Sequence, residues 1–573
     1  MDFSEGRHVD PTHMEVFRQT DQPQRSESCN SVTWDLEQYR ALSGNTSSHA
    51  TLGLIASWAT HCVEHHEHCP QRLVSRLPKR VLEITADHVS LKEKPNTPAT
   101  YVCLSHCWGP DGPAIRLTAD TVELLHKGYV TSDLPKTFRD AVDVCKRLGI
   151  CYLWIDALCI FQDSQEDWKE AAATMAGIYE HAYITIAATF APDSNGGLFS
   201  SVRPLGTRLD KHPHLYIREC LPTFPDDFYT RDLKSWPLLT RAWVYQERRL
   251  SPRTVHFCKH QVYWECQTNF DSEDASEYKV WITDADDVDR DLGWGDKVVD
   301  STRQWQKIVS EYTKLELTYD SDRLPAIAAL ANRMSRLRRA DDVYIAGMWR
   351  NSILSDLLWE SRPFEIGKWG RPVEPRSVRL VPSWSWASVR NANISWRECA
   401  FPDTTQIVSL DYTAIGAAHL GEVINTSIVL RTNVLDLTGV VISDSHRPSD
   451  SIHEFLRSTP RMDSFRRNND ASIHCTFHQD YNLATADPLY MRGHDPKLLI
   501  SKATRDSLGG VVVRQITEKP VQYERIGFLH IFTFSLKSSI SGPDEIGWNS
   551  NGEAQRRVDE LIRSLPVEEV MII

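Results

Sequence analysis

Residues 137–155, TFRDAVDVCKRLGICYLWI, carry the pattern that decides the fold. Apolar side chains recur at helical spacing over Thr137–Leu148, where Thr137 followed by Asp140 resembles a capping box. The continuous apolar run Cys151–Ile155 comes directly afterwards and predicts a buried strand. A helix followed at once by a buried strand is typical of a sheet that is covered by helices.

The same alternation extends on both sides of this stretch. Upstream, Arg80–Ile84 and Thr100–His106 are apolar runs that predict two further strands. Downstream, an apolar stripe from Trp168 to Ala182 predicts a second helix, and Tyr183–Phe190 predicts another strand. Strands and helices that alternate at this density predict an α/β fold with a helix-covered parallel sheet.

The rest of the chain divides by composition. Residues 1–50 are polar and predict a weakly ordered N-terminus, and residues 51–75 predict a helical lead-in. The α/β pattern occupies residues 76–270, and the acidic residues 271–300 suggest a linker or an insertion. Residues 301–573 predict a mixed helical segment and then a β-rich C-terminal region.

Two stretches within the β-rich region are distinctive. Residues 381–389, VPSWSWASV, alternate between apolar and polar side chains and predict a strand. On such a strand Trp384 and Trp386 point to the same face, and both are expected to be packing residues. Residues 444–472 are polar and predict an insertion between strands.

Composition narrows the classes of function. Of the 573 residues, 41% are hydrophobic and 25% charged, as in folded globular proteins, and the net charge of −13 argues against nucleic acid as a partner. No apolar run reaches the roughly 18 residues of a membrane-spanning helix, and the N-terminus lacks the apolar core of a secretory signal. The 13 cysteines include no C-x-x-C pair, which favours reduced thiols in a cytoplasmic protein.

One short stretch, residues 61–70 (HCVEHHEHCP), is rich in metal-ligating side chains. Cys62, His65, His66 and Cys69 are candidates to share one helix face. A closed zinc site usually draws two of its ligands from a second segment, however, and the sequence does not indicate that segment. The prediction is therefore a solvated helix end with two half-buried thiols, and no metal site is assigned.

Three stretches carry a distinctive pattern together. They are Tyr101–Gly109 (YVCLSHCWG), then Leu134–Phe138 (LPKTF) leading into Tyr152–Asp163 (YLWIDALCIFQD), and finally Thr240–Arg253 (TRAWVYQERRLSPR). In this order they resemble the heterokaryon-incompatibility (HET) domain of filamentous fungi, over roughly residues 78–260. The family's first motif usually has Tyr where this chain has His106, so a titratable ring lies beside the expected cleft.

The resemblance implies a TIR-like fold and a site at one edge of the sheet. Ligands of parallel sheets bind beyond the carboxyl ends of the strands, where Ser105 and Asp156 are expected. A helix over Arg241–Leu250 brings further candidates onto one face. The candidate catalytic residues are Glu247, Asp156 and His106, and the candidate ligand-binding residues are Ser105, Trp108, Gly109, Gln162, Asp163, Arg241, Trp243 and Gln246.

The resemblance further implies a signalling protein of non-self recognition that triggers programmed cell death and acts through protein partners or self-association. An enzyme on the same scaffold is the main alternative. Some TIR domains cleave NAD with a Glu, because a fixed carboxylate stabilises the positive charge that develops on the ribose. By this analogy NAD is a candidate substrate. The sequence has no phosphate-binding glycine loop, so no cofactor is evident.

Other interpretations of the same residues stay open. An enzyme that tailors fungal secondary metabolites is a second enzymatic form, favoured by the altered His106, and a non-catalytic scaffold is a third function. Asp156 could cap the turn that follows it, and Glu247 could pair with a neighbouring arginine. A Cys107 or Cys159 nucleophile with a histidine base requires a thiol within reach of the ring.

Overall fold

The computed structural model divides the chain into two compact units, Met1–Lys297 and Val298–Ile573. The residues that the structure describes are 14–19, 38–71, 74–202, 206–209, 212–222, 224–225, 235–276, 278–280, 300–363, 381–390, 392–397, 399–416, 420–437, 456, 458, 471–480, 496–503, 507–535 and 551–573. Over these residues the chain is a mixed α/β protein.

The first unit contains sixteen strands and six α-helices within its described residues. The strands are β1 (Met14–Gln19), β2 (Gln38–Tyr39), β3 (Ser75–Arg76), β4 (Val81–Ile84), β5 (His88–Lys92), β6 (Pro98–Ala99), β7 (Tyr101–Ser105), β8 (Tyr129–Val130), β9 (Tyr152–Ile155), β10 (Ile184–Ala187), β11 (Thr207–Leu209), β12 (His212–Glu219), β13 (Arg253–Phe257), β14 (Val262–Cys266), β15 (Asn269–Ser272) and β16 (Tyr278–Val280). The helices are α1 (His49–His65), α2 (Val122–Lys127), α3 (Lys136–Arg147), α4 (Asp156–Cys159), α5 (Gln165–Glu180) and α6 (Ala242–Leu250).

A ten-stranded sheet forms the centre of this unit, in the order β16-β15-β14-β13-β10-β7-β9-β4-β5-β8. The four central strands, β13, β10, β7 and β9, are parallel to one another, with Leu104 paired to Ile155 and Ile186 to Leu104. The strands on both flanks pair in antiparallel fashion. The sheet is therefore mixed, and the predicted parallel arrangement is limited to its centre.

The central strands are parallel because helices connect them and cover the sheet. Helix α3 packs against β7 and β9, and α5 packs against α6. Buried positions of α3 include Phe138 and Cys145, as the helical spacing predicted. The capping box was wrong, because α3 begins one residue before Thr137. Thr137 accepts from Gly197 N at 3.0 Å and Asp140 accepts from Leu198 N at 2.9 Å, so both side chains hold a neighbouring loop.

The start of the chain also contributes a strand. β1 joins β12 in a second sheet of order β11-β12-β1-β2, which the polar composition of residues 1–50 did not predict. Arg218 on β12 donates from Nε to Glu15 Oε1 at 2.5 Å and from Nη2 to Asp274 Oδ2 at 2.8 Å. The buried guanidinium of Arg218 thus joins β1, through Glu15, to the rest of the first unit, through Asp274.

The opening of the acidic stretch 271–300 lies inside the first unit. Asp271 accepts a hydrogen bond from Trp58 Nε1 at 3.2 Å, and Glu273 accepts one from Thr51 Oγ1 at 2.6 Å. Each buried carboxylate therefore has a donor on α1. Residues 281–299 lie outside the described residues.

The second unit is β-rich after an initial helical segment. Its strands are β17 (Tyr344–Ile345), β18 (Met348–Trp349), β19 (Trp359–Pro363), β20 (Ala392–Trp396), β21 (Cys399–Ala400), β22 (Gln406–Ala414), β23 (Val423–Asp436), β24 (Ala471–Gln479), β25 (Pro496–Ala503), β26 (Ser507–Glu518), β27 (Val521–Ser535) and β28 (Val567–Ile572). Its helices are α7 (Ser301–Tyr312), α8 (Pro325–Ser335), α9 (Ile353–Asp356) and α10 (Asn551–Ser564). The predicted β-rich C-terminal region is confirmed.

The strand pairings of this unit form a closed ring, β25-β26-β27-β28-β23 and back to β25. Buried apolar side chains of the ring and of α10 share one core, among them Leu498, Leu529 and Leu561. The predicted strand over residues 381–389 was wrong, because these residues form a turn followed by a short 3-10 helix, Trp386–Ser388. Most of the predicted insertion 444–472 lies outside the described residues.

Candidate functional site

Two of the predicted side chains lie at the carboxyl ends of adjacent parallel strands. Ser105 is the last residue of β7, and Asp156 directly follows β9 as the first residue of α4. Because β7 and β9 pair in parallel, these two positions fall on the same edge of the sheet. The sheet geometry therefore brings the first and second sequence motifs together.

Glu247 reaches this edge from α6. Its Oε2 accepts a hydrogen bond from Ser105 Oγ at 2.5 Å, and its carboxyl group also hydrogen bonds with the side chain of Tyr179 on α5. The residue is only 8% exposed. Burial and the charge of Asp156 raise the pKa of Glu247, while the bonds from Ser105 and Tyr179 and the charge of Arg241 lower it, and the net pKa is about 7.

Asp156 is the more exposed carboxylate of the two, with 25% of its side chain accessible to solvent. Its Oδ2 accepts a hydrogen bond from Trp108 Nε1 at 2.8 Å, and its Oδ1 accepts one from Ala157 N at 2.6 Å. The second bond is local, because Asp156 is the first residue of α4 and bonds to the amide of the next residue. Asp156 thus has one oxygen held by the backbone and one held by an indole.

His106 lies behind Asp156, with its Nδ1 3.7 Å from Asp156 Oδ1. The ring is buried and contacts Phe138 edge to face at a centroid distance of 4.9 Å. Burial lowers the pKa of His106, Arg241 lowers it further and Asp156 opposes both, so that the ring is neutral at neutral pH. Its buried Nε2 has no hydrogen-bond partner among the described residues.

Arg241 supplies positive charge to the same cluster. It precedes α6 as its N-cap residue, and its charge acts on Glu247, His106 and Cys107. A guanidinium whose charge acts on Glu247 and on a neutral imidazole can neutralise an anionic ligand or balance Glu247 when it ionises. These contacts make Arg241 part of the site.

Gly109 permits a close approach at the edge of the site. Its φ is 78°, in the left-handed region, and a Cβ atom at this position would lie 2.6 Å from Asp193 Cβ. Both facts require glycine here, because a side chain would strain the backbone and collide with the 193–199 loop. Gly109 therefore shapes the turn that carries Trp108.

Four predicted ligand-binding residues have other contacts. Gln162 donates to the carbonyl oxygens of Asp156 and Ile160, and Asp163 accepts from Ala119 N. Gln246 donates to Met175 Sδ at 3.4 Å, and Trp243 contacts Trp168 edge to face. Gln162 and Asp163 hold the loop after β9, and Gln246 and Trp243 hold α6 against α5. These four residues therefore hold in place the elements that carry the site.

Tyr179 is a site residue that the sequence did not indicate. Its position in the apolar stripe of α5 predicted a core side chain, and the ring is indeed buried. Its hydroxyl nevertheless hydrogen bonds with Glu247, and burial raises the pKa of Tyr179 well above its ordinary value. A tyrosine whose ring packs in the core while its hydroxyl meets a polar group has no distinct sequence pattern.

The cysteine nucleophiles considered from the sequence are not activated. Burial raises the pKa of Cys107 to about 11 and that of Cys159 to about 12. The thiolate is the reactive form, so a raised pKa removes the nucleophile at neutral pH. The polar chemistry of this edge therefore rests on Glu247, Asp156 and their partners.

The raised pKa of Glu247 predicts a pH dependence of stability. The carboxyl group keeps its proton up to about pH 7 in the folded chain but loses it near pH 4.5 when unfolded. The folded state thus binds the extra proton between these values, and the free energy of unfolding falls by up to roughly 3 kcal/mol as the pH rises through this window. We expect Glu247→Gln to remove this loss. The difference between the thermal midpoint of the Gln variant and that of the unchanged protein should therefore increase from pH 5 to pH 8.

His106 acts in the opposite direction, since its lowered pKa costs stability as the pH falls below about 6.5. That contribution is present in both proteins and cancels in the comparison. Glu166→Gln, at an exposed position on α5, is the matched control and should follow the unchanged protein. Parallel midpoints for Glu247→Gln and the unchanged protein across the range would contradict the raised pKa.

Comparison with known families identifies one domain within the first unit. Residues 101–247 match the model of the family described as heterokaryon incompatibility protein (HET). The chain is therefore a protein that contains a HET domain, and the resemblance seen in the sequence motifs is confirmed over these residues. The match begins at the first residue of β7 and ends at Glu247.

Comparison with curated proteins gave no match, and comparison with solved structures gave none either. Within the described residues, no helix has both the length and the apolar character needed to cross a membrane.

Proposed function

We propose that this protein acts in heterokaryon incompatibility, and that its HET domain triggers programmed cell death when non-self is recognised. The family match over residues 101–247 supports this proposal. Under the proposal the edge formed by Ser105, Asp156 and Glu247 is the effector site, and protein partners or self-association control it in the cytoplasm.

The observation that carries the proposal is the meeting of the three motif blocks in one cluster. The first block contributes Ser105, the second Asp156 and the third Glu247. Ser105 bonds directly to Glu247, and the charges of Asp156 and Glu247 interact. Residues that are far apart in the chain thus form one polar site to which each of the three motif blocks contributes a side chain.

A second candidate function, hydrolysis of NAD or a related nucleotide, is favoured by the pKa of Glu247. A carboxyl group that titrates at about pH 7 can exchange a proton with a substrate at cellular pH. The ionised form, next to Ser105 and Tyr179, can stabilise the positive charge of a ribosyl transition state. Trp108, held by Asp156, offers an indole face beside the carboxylates.

Inducible expression of the full chain in a fungal host tests both candidates. We expect loss of viability after induction, with cellular NAD measured in the same cultures. Death with collapse of NAD supports the hydrolase, and death with constant NAD supports signalling through contacts. Normal growth of cells that accumulate the folded protein would contradict the proposed effector role.

A further inference from the structure

A second group of reactive side chains lies outside the residues that match the HET family. Cys62 is in the last turn of α1, His66 is its C-cap residue, Cys69 follows in the next turn, and Cys266 ends β14. The three Sγ atoms and a ring nitrogen of His66 all lie within 4.8 Å of one another. Cys266 is 200 residues after His66, and it supplies the ligand from a second segment that the sequence did not indicate.

The spacing of these atoms fits a tetrahedral metal ion. His66 Nδ1 is 3.4 Å from Cys266 Sγ and 4.0 Å from Cys69 Sγ. Zinc bonds of about 2.3 Å to sulfur and 2.0 Å to nitrogen separate tetrahedral ligand atoms by roughly 3.5–3.8 Å. Small movements of side chains therefore convert the present cluster into a coordination sphere. His65, a candidate ligand in the sequence, is exposed instead and stacks on His61.

We propose that Cys62, His66, Cys69 and Cys266 bind one structural zinc ion. Three thiolates and an imidazole favour zinc over magnesium, calcium or manganese, which prefer oxygen ligands. Four protein ligands close the coordination sphere and leave no position for a substrate or a water molecule, so the ion supports the fold. The three cysteines are buried, which excludes competing ligands from solvent.

The surroundings of the cluster suit bound thiolates. Arg253 Nε donates to Cys62 Sγ at 3.2 Å, Asn269 N donates to Cys266 Sγ at 3.4 Å, and Thr268 Oγ1 lies 3.5 Å from Cys69 Sγ. Such donors stabilise metal-bound sulfur and orient it. Zn²⁺ with three thiolates has a net charge of −1, which the guanidinium of Arg253 balances. Arg253 is 1% exposed, so its charge acts on the cluster without screening by water.

The proposed ion joins two parts of the first unit. Cys62, His66 and Cys69 belong to the end of α1 and the turn after it, and Cys266 begins the tight turn between β14 and β15. Helix α1 already packs on β14. Zinc would fix the end of this helix to the flank of the central sheet. Because the ligands are far apart in the sequence, this cross-link lowers the entropy of the unfolded chain and so stabilises the folded state.

Metal analysis of the purified full chain, after removal of any affinity tag, tests the proposal. We expect one zinc ion per chain by mass spectrometry of the metal content, and loss of that zinc in Cys266→Ser. Cys151→Ser, which removes an exposed cysteine, is the matched control and should retain one zinc ion. Cobalt exchanged into the site should give the thiolate-to-metal charge-transfer absorption of a tetrahedral sulfur site.

A measurement on the unchanged protein covers the case in which Cys266→Ser does not fold. Titration with a thiol-modifying reagent should release one zinc ion as the three buried thiols react, and a chelator should lower the thermal midpoint of the unchanged protein. A folded protein without zinc, which gains none on incubation with zinc and reacts at these thiols freely, would overturn the proposal. A disulfide between two of the three cysteines would do the same.

Discussion

Cells that express the Glu247→Gln protein are expected to survive under conditions in which the unchanged protein kills them. Gln keeps the size of the side chain and can accept the hydrogen bond from Ser105, so the packing of α6 is preserved. It cannot ionise or transfer a proton, which removes the property that distinguishes Glu247 from a structural residue. If NAD is the substrate, the rate of hydrolysis by purified protein should fall by about 10²–10⁴-fold.

Two comparisons make this result specific. Because the Gln variant is expected to be at least as stable as the unchanged protein at neutral pH, survival cannot be assigned to unfolding, and protein levels should be equal by immunoblot. Glu166→Gln, at an exposed position in the same domain, should kill as the unchanged protein does. Full killing by a folded Glu247→Gln protein would show that the acidic cluster is not the effector site.

The largest expected loss of stability comes from Arg525→Met in the second unit. Arg525 is fully buried, donates from Nε to Asp480 Oδ2 at 2.8 Å and donates to the carbonyl oxygens of Leu357 and Trp359. Its guanidinium also lies 3.4 Å from the ring centroid of Trp359. Met removes the cation that pairs with the buried Asp480 carboxylate and the donors to the two carbonyl groups, so the free energy of unfolding should fall by about 3–5 kcal/mol in chemical denaturation.

A second substitution separates the lost charge pair from lost packing. Arg525→Met combined with Asp480→Leu removes both charges and should recover part of the stability, because the buried carboxylate is removed together with its cation. Arg339→Met is the matched control, since Arg339 pairs with Asp341 at the surface and both side chains are largely exposed. It should leave the unfolding transition unchanged. An Arg525→Met protein as stable as the unchanged chain would contradict the argument.

The centre of the first unit could be predicted because each central element has its own pattern. The apolar run Cys151–Ile155 and the helical spacing of Thr137–Leu148 correspond to β9 and α3 within one residue at each end. The antiparallel flanks were not predicted, because short hairpin strands such as β14 and β15 are defined by their pairing rather than by a long periodic run. The strand predicted over residues 381–389 was wrong for the opposite reason. Apolar and polar residues also alternate in this turn and short 3-10 helix, where Trp384 and Trp386 are both buried.

The candidate site was also predicted only in part from the sequence. The sequence placed Ser105 at the end of one strand and Asp156 at the end of another, and it did not indicate that these strands, β7 and β9, are adjacent. The sequence could not tell that Glu247 is buried while Asp156 is partly exposed, because burial depends on how α5 and α6 pack together. The hydroxyl of Tyr179 and the thiol of Cys266 were not recognised for a related reason. Each acts through a contact with residues far away in the chain, and such contacts leave no local pattern.

The contacts of α1 and β1 also determine when, during synthesis, the first unit can finish folding. Thr51 bonds to a residue 222 positions later, and Glu15 to one 203 positions later. At about 5–20 residues per second, a ribosome needs on the order of 10–40 s to supply these partners. During that interval the apolar face of α1, which includes Ile55 and Trp58, cannot yet pack on β14. The first unit therefore completes only after its later strands have been made, and we expect nascent chains of intermediate length to expose this apolar face.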